Sequence, residues 1–260
     1  LSDISPKKDT EIFQLSIGEP QLPPSDLVKE TINKFFLDWR KYTPSSGTRE
    51  FRESVANYIS RRYPSARNLL DVDQEITAVP GTRAPLHQIG WIVRNGSSKN
   101  ISLVTNPFYH AWRAGAIAAG SNIFWMEANK ENQFLPNPKM ISEKILKNSV
   151  LMYICSPSNP QGSAGSMSWY TDIIELCRKH KILLCIDECY ADIYRNDIVP
   201  PTGGLEALEK IGGGTEGVLV FHSLSKRSSG TRSGNLCSSC PVRCISERAS
   251  ESIRPMAESP

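Results

Sequence analysis

Several things are scarce in these 260 residues, and each scarcity excludes something. No run approaches the eighteen or so apolar residues of a membrane-spanning helix. The first ten residues, Leu1 to Thr10, are polar and carry no apolar core, so they do not read as a signal peptide. Charge of one sign is not in excess: 30 Lys and Arg stand against 27 Asp and Glu, a net charge of +3. The basic residues are dispersed, with no arm or stripe, so neither a nucleic-acid nor a membrane partner is expected. Histidine is sparse, with four in all and none after His222. The Cys237-x2-Cys240-x3-Cys244 cluster in the tail therefore lacks a fourth ligand, and no metal is expected. There is no internal repeat and no initiator Met, and the latter is the mark expected of a fragment or partial reading.

A chain with 39% hydrophobic residues can bury one large core, or one core and a small appendage. Of the seven cysteines, Cys155, Cys177, Cys185 and Cys189 fall in or beside strand and helix patterns, where free thiols pack as small apolar groups. That usage fits a reducing cytoplasm.

Periodicity organises the rest. Ser25 caps a first helix carrying Leu27, Val28, Ile32, Phe35 and Phe36, and a second helix places Phe51, Val55, Tyr58 and Ile59 on one face. After Pro64, strands are expected near 75–79, 101–105, 122–126, 150–155, 182–187 and 218–222. Helices are expected over 82–94, 109–119, 138–146 and 167–180, with 200–214 a Gly/Pro-rich connection. This alternation predicts an α/β fold, a mostly parallel sheet with helices on both faces. The expected divisions are an N-terminal arm and first helix over 1–47, a large domain over 48–229, and a tail over 230–260. The last of these has no apolar period and is expected to be disordered.

Two strands end in chemistry. The run Gly217 to Phe221 closes on His222-Ser223-Leu224-Ser225-Lys226. A lysine at the mouth of a buried strand is partly desolvated, which frees a neutral amine for attack on an aldehyde. The run Lys181 to Ile186 closes on Asp187-Glu188-Cys189-Tyr190. An acid at the carboxyl end of a parallel strand can hold a pyridine nitrogen protonated and make the ring an electron sink. Alone, Lys226 reads more readily as a surface lysine closing a strand, and Asp187 and Glu188 more readily as solvated acids or a helix cap. Together they describe pyridoxal phosphate chemistry.

With Asp187-Glu188-Cys189-Tyr190 followed by His222-Ser223-Leu224-Ser225-Lys226-Arg227-Ser228, the chain resembles the class I/II, fold-type I aminotransferases from about Leu15 to Ser229. Among them it is similar to the N-succinyldiaminopimelate aminotransferases of lysine biosynthesis. The resemblance implies pyridoxal 5'-phosphate as cofactor, transfer of an amino group between an amino acid (N-succinyl-diaminopimelate or glutamate) and a 2-oxo acid, and a homodimer. It also implies roles. Lys226 would be the cofactor-bearing base, Asp187 the pyridine partner and Tyr109 the ring that stacks on the cofactor. Asn159, in Asn159-Pro160-Gln161-Gly162, and Tyr190 would share the cofactor's ring oxygen. The turn Gly81-Thr82-Arg83, which precedes a helix whose amides attract phosphate, would hold the phosphate with Ser223, Ser225 and Arg232. Tyr42 would reach the phosphate of a neighbouring subunit, and Gly18 would approach the substrate carboxylate, as would Asn159.

Two departures stand out. The loop between Lys226 and Arg232 is shorter than the family's, and Gln161 replaces the usual threonine. After Gly230 the expected strand and small domain do not follow, as if the reading frame had shifted or decayed near Ser229, so a truncated small domain is expected. A lyase or decarboxylase on the same cofactor, or a catalytically inactive fragment, are the alternatives. Three other motifs lose on context. Ser223-x-x-Lys226 lacks the companion elements of the penicillin-interacting enzymes, and its serine is expected to end a strand without opening a helix. Gly212-x-Gly214-x-x-Gly217 precedes a strand, where a dinucleotide fingerprint would follow one. Asn95-Gly96-Ser97 reads as a turn.

Overall fold

A computed structural model describes Gly18, Pro20, residues 22–227 and the backbone of Leu236–Ser239. Its elements run α1 (Asp26–Lys34), α2 (Arg49–Arg62), β1 (Ile76–Pro80), α3 (Arg83–Arg94), β2 (Ile101–Asn106), α4 (His110–Ala118) and β3 (Asn122–Glu127). There follow α5 (Glu143–Asn148), β4 (Ser149–Cys155), α6 (Met167–His180), β5 (Leu183–Asp187), α7 (Gly204–Ile211), β6 (Val218–Phe221), α8 (Leu224–Arg227) and β7 (Leu236–Ser239). The seven strands form one sheet in the order β1-β7-β6-β5-β4-β2-β3. Strands β2 to β6 pair in parallel, and β7 lies antiparallel to both β1 and β6.

The unbroken apolar runs of β4, β5 and β6 follow from burial on both faces. Side chains alternate across a strand. Met152, Ile154, Leu184, Ile186, Val218 and Val220 therefore enter one core, shared with Ile59, Tyr63, Tyr170 and Leu208. Leu151, Tyr153, Leu183, Cys185, Leu219 and Phe221 enter the other, shared with Leu86, Ile89, Val93 and Trp112. Helices α2, α6 and α7 thus cover one face, and α3 and α4 the other. The α3–α4 contact is close enough that glycine is needed: a Cβ on Gly115 would lie 2.4 Å from the carbonyl oxygen of His87.

Four expectations are corrected. The 200–214 connection contains α7, whose apolar residues Leu205, Ala207 and Leu208 are buried. Its glycine-flanked ends hide it, and its N-terminus is satisfied by Glu206, which accepts from the Gly203 amide at 3.1 Å, and by Glu188. The single helix over 138–146 is broken at the extended Ile141 into a 3-10 turn (Pro138–Met140) and α5, because Ser142 caps the second piece. Ser223 does precede a helix, the one-turn α8, and accepts from the Ser225 amide at 3.1 Å. The tail is not without regular structure, since Leu236–Ser239 fills the slot between β1 and β6. The reason is backbone pairing: a strand inside a sheet satisfies its own and its neighbours' amides whatever its side-chain period.

Among the described residues no helix is long and apolar enough to cross a membrane, and no cluster of His, Cys, Asp and Glu is arranged to hold a metal. The Cys237-x2-Cys240-x3-Cys244 side chains lie outside the described residues.

Candidate active site

Strands β5 and β6 are adjacent and parallel, with Asp187 paired to Phe221. Both chains therefore leave the sheet at the same end, β5 into Asp187-Glu188-Cys189-Tyr190 and β6 into His222, Ser223 and α8. In open α/β sheets that end is where ligands bind. Lys226 and Asp187 thus follow neighbouring strands out of the same end of the sheet, and the Lys226 amine stands 5.8 Å from the centre of the Tyr190 ring. It donates a hydrogen bond to the carbonyl of Gly18. The Gly18 carbonyl, rather than its amide, is the group that faces this lysine.

Asp187 is 6% exposed. Burial raises its carboxyl pKa, and bonds from Cys189 and the nearby His222 pull the other way. The Cys189 amide donates to Oδ1 at 3.2 Å. An acid so placed gains from a cationic partner that would offset its lost hydration. Tyr190 is held from the other side by Asn159, whose Nδ2 donates to the phenol oxygen at 2.9 Å. Burial, with the neighbouring Cys155 thiol and Asp187, pushes the Tyr190 hydroxyl up to about 12, so it keeps its proton as a donor at neutral pH.

The turn after β1 has the form of an anion cradle. Gly81 takes φ +82, a conformation open to glycine and strained for other residues. Thr82 begins α3 without a side-chain cap, which leaves the first amides of a twelve-residue helix available to an anion. Its hydroxyl lies 3.6 Å from the Cys189 sulfur, which ties this turn to the β5 loop. Arg83 donates from Nε to the Tyr109 hydroxyl at 3.1 Å, which orients the Tyr109 ring and raises the pKa of the guanidinium. The Ser223 and Ser225 hydroxyls are 3.0 Å apart.

The structure thus gathers Gly18, Gly81, Thr82, Arg83, Tyr109, Asn159, Asp187, Tyr190, Ser223, Ser225 and Lys226 around the carboxyl end of the sheet. Tyr42 is not among them: it is fully solvent-exposed on this single chain. Arg232 lies outside the described residues.

Sequence reasoning left Glu188 as a possible solvated acid or cap. It is 1% exposed. Its carboxylate accepts from the Gly204 amide at 2.6 Å and the Tyr63 hydroxyl at 2.8 Å, and His222 Nε2 lies 3.3 Å away. The Tyr170 hydroxyl reaches it at 3.5 Å. Glu188 therefore secures the strand end from beneath, and the alternation of side chains along β5 is the signal that places it opposite Asp187.

A parallel-centred sheet with a lysine, a buried aspartate and an uncapped helix at one end defines an α/β cofactor-binding domain. Comparison with known proteins gives the family: residues 10–256 match the aminotransferase class I and II family, and the chain belongs to it. Members of this family use pyridoxal phosphate. The chain is similar to LL-diaminopimelate aminotransferase 2 of Nostoc sp., 27% identical over 221 residues, which are 84% of this chain and 54% of that relative. It is also similar to LL-diaminopimelate aminotransferase of Dehalococcoides mccartyi, at 28% over 84% of this chain and 54% of the relative. The chain thus spans about half the length of the curated relatives it matches. An aminotransferase from Neisseria meningitidis superposes with a TM-score of 0.87 at 28% identity, covering 98% of this chain and 64% of that one. Aminotransferase AspB from Helicobacter pylori gives 0.86 at 29%, covering 97% and 65%.

Proposed function

We propose that this chain is the cofactor-binding part of an aminotransferase that uses pyridoxal 5'-phosphate to move an amino group from an amino acid to a 2-oxo acid. The observation that carries the reading is a buried Asp187 and Lys226 at the same end of adjacent parallel strands, with Tyr190, bonded to Asn159, facing the Lys226 amine. The residues fit the cofactor's parts. The bare amides at the start of α3, with Ser223 and Ser225, suit its phosphate, to which the family resemblance adds Arg232. Asp187 suits a protonated ring nitrogen, Tyr109 the ring face, and Asn159 and Tyr190 the ring oxygen.

When bound, the cofactor supplies an electron sink for charge developing at the substrate's α-carbon. The protein's own work is then acid–base and positional. Lys226 takes the proton from the α-carbon and returns it on the other side of the exchange. Tyr190, kept protonated, and Asn159 donate toward the ring oxygen. Gly18 and Asn159 border the space for the substrate carboxylate.

For the substrate, the relatives' names favour diaminopimelate, and the family resemblance suggests its N-succinyl form. Both present an amino group on the same carbon skeleton, and glutamate would be the second partner. We place the protein in the cytoplasm, in keeping with Cys155, Cys177 and Cys189, which form no disulfide among the described residues. We further propose a homodimer. Helix α1 buries none of its residues, and Leu27, Phe36 and Trp39 are 66%, 66% and 73% exposed, a face suited to a second copy that Tyr42 would reach.

The test is the absorbance spectrum of purified protein with added pyridoxal phosphate, before and after an amino donor. A visible band that bleaches with the donor is expected, and Lys226→Ala should abolish it. A band that survives Lys226→Ala would overturn the assignment. Bleaching that needs no 2-oxo acid to regenerate the band would favour a lyase or decarboxylase.

A further inference from the structure

Asp192 lies two residues beyond Tyr190, and three side chains from two helices converge on it. Tyr58 of α2 donates its hydroxyl to Oδ2 at 2.9 Å, and Arg62, one turn further along α2, reaches Oδ1 from Nε at 3.2 Å. Arg227, the residue after Lys226, reaches Oδ2 from Nη1 at 3.3 Å. The Arg227 guanidinium also lies 3.9 Å from the centre of the Tyr58 ring. Arg62 ties the same loop down through the carbonyls of Ala191 at 2.9 Å and Pro201 at 2.8 Å. Arg62, Asp192 and Arg227 have side chains only 8%, 21% and 24% exposed, so solvent screens this cluster weakly.

We propose that Asp192 is a positioning residue for Lys226: through Arg227 it fixes the one-turn helix that carries the lysine against the loop that carries Tyr190, and it balances the charge of the guanidinium that follows the lysine in the chain. The inference rests on the reading of Lys226 as the reactive lysine.

The geometry supports both halves. Helix α8 is four residues long and cannot hold itself in place by its own hydrogen bonds. Its attachment therefore comes from side chains, and Arg227 provides a charge-assisted link to Asp192 and a stacked one to Tyr58. Around Asp192 the titratable and charged groups are Tyr58 and Arg62 from α2, Arg227 from α8, and Tyr190 on its own loop. The Lys226 amine faces the Tyr190 ring and the Gly18 carbonyl. Burial and the adjacent Asp192 raise the pKa of the Tyr58 hydroxyl, so it acts as a donor throughout the neutral range.

Opposite charge changes at one cluster should move the lysine in opposite directions. Asp192→Asn leaves Arg227 and Arg62 uncompensated and disfavours a protonated amine. Arg227→Met removes one of the two positive charges, leaves Asp192 balanced by Arg62 alone, and favours a protonated amine. The experiment measures the pH dependence of amine modification at Lys226 by cyanate, read by mass spectrometry on the cofactor-free full chain. Alongside it, the pH titration of the visible band is followed with pyridoxal phosphate added. The Lys226 midpoint should fall by about half a pH unit in Asp192→Asn and rise by about as much in Arg227→Met, the scale of one net charge at a partly exposed site. Arg227→Lys and the double variant should return close to wild type. Midpoints that do not move, or that move the same way in both single variants, overturn the proposal. Separated midpoints in a chain that develops no visible band would uphold the coupling and count against the cofactor reading instead.

Discussion

Glu188 offers the sharpest test of how the strand end is built. Its carboxylate is sealed from water and accepts from the Gly204 amide at 2.6 Å and the Tyr63 hydroxyl at 2.8 Å, with His222 Nε2 at 3.3 Å. Glu188→Leu removes every acceptor at similar volume. The Gly204 amide cannot turn away, because it belongs to the first residue of α7, and the Tyr63 hydroxyl is as deeply buried. Two stranded donors at about 1–3 kcal/mol each give an expected loss of roughly 3–5 kcal/mol. Glu188→Gln keeps one acceptor for Gly204 and replaces charge-assisted bonds with neutral ones, for about 2 kcal/mol. Part of that is offset because a neutral amide is cheaper to bury than a charge. Urea unfolding of the cofactor-free chain, followed by circular dichroism, reads both. The Leu variant should lie well below Gln, and Gln below wild type, with unchanged slopes. A Leu variant as stable as wild type would refute the reasoning, because it would mean that hydration of the carboxylate outweighs all its bonds.

The remaining outcomes concern other parts of the molecule. Asp187 has a folded pKa raised above its unfolded value by burial. Between the two values the folded state holds the proton more tightly, so stability of the cofactor-free chain falls as pH rises through the ordinary carboxylate range and above it. Asp187→Asn should flatten that slope and raise the thermal midpoint of the cofactor-free chain near neutral pH, while weakening its binding of pyridoxal phosphate in an absorbance titration. A slope that persists in the variant would place its origin elsewhere. Gly115→Ala sets a methyl 2.4 Å from the backbone oxygen of His87, which cannot move without shifting α3. A loss of about 2 kcal/mol or more is expected in chemical denaturation, and a loss under about 0.5 kcal/mol would show that the two helices separate freely.

How far the sequence disclosed all this depended on the kind of interaction. Strands β4, β5 and β6 are legible because burial on both faces demands consecutive apolar residues, and α6 because Ser166 caps it and its apolar face repeats. Asp187 and Lys226 are legible for a related reason, as polar residues closing such runs, whereas Asn159 lies in what reads as a turn and is marked only by the family resemblance. Helix α7 escaped notice because glycines at both of its ends read as loop. Strand β7 escaped because its place is fixed by the pairing needs of β1 and β6, and those leave no trace in Leu236-Cys237-Ser238-Ser239 itself. The bonds of Glu188 to Tyr63 and of Asp192 to Tyr58 join residues 125 and 134 positions apart, and no local pattern announces them.

The position of β7 also dictates an order of events. Among the described residues the β1 ladder has one neighbour, and that neighbour comes after the other six strands in chain order. The turn Gly81-Thr82-Arg83 hangs from β1, so a nascent chain emerging from the ribosome can complete β2 through β6 while this turn still lacks its backbone support. Closure of the sheet, and with it the registration of an early loop against Asp187 and Lys226, must wait until residue 239 is free to thread between two strands already in place.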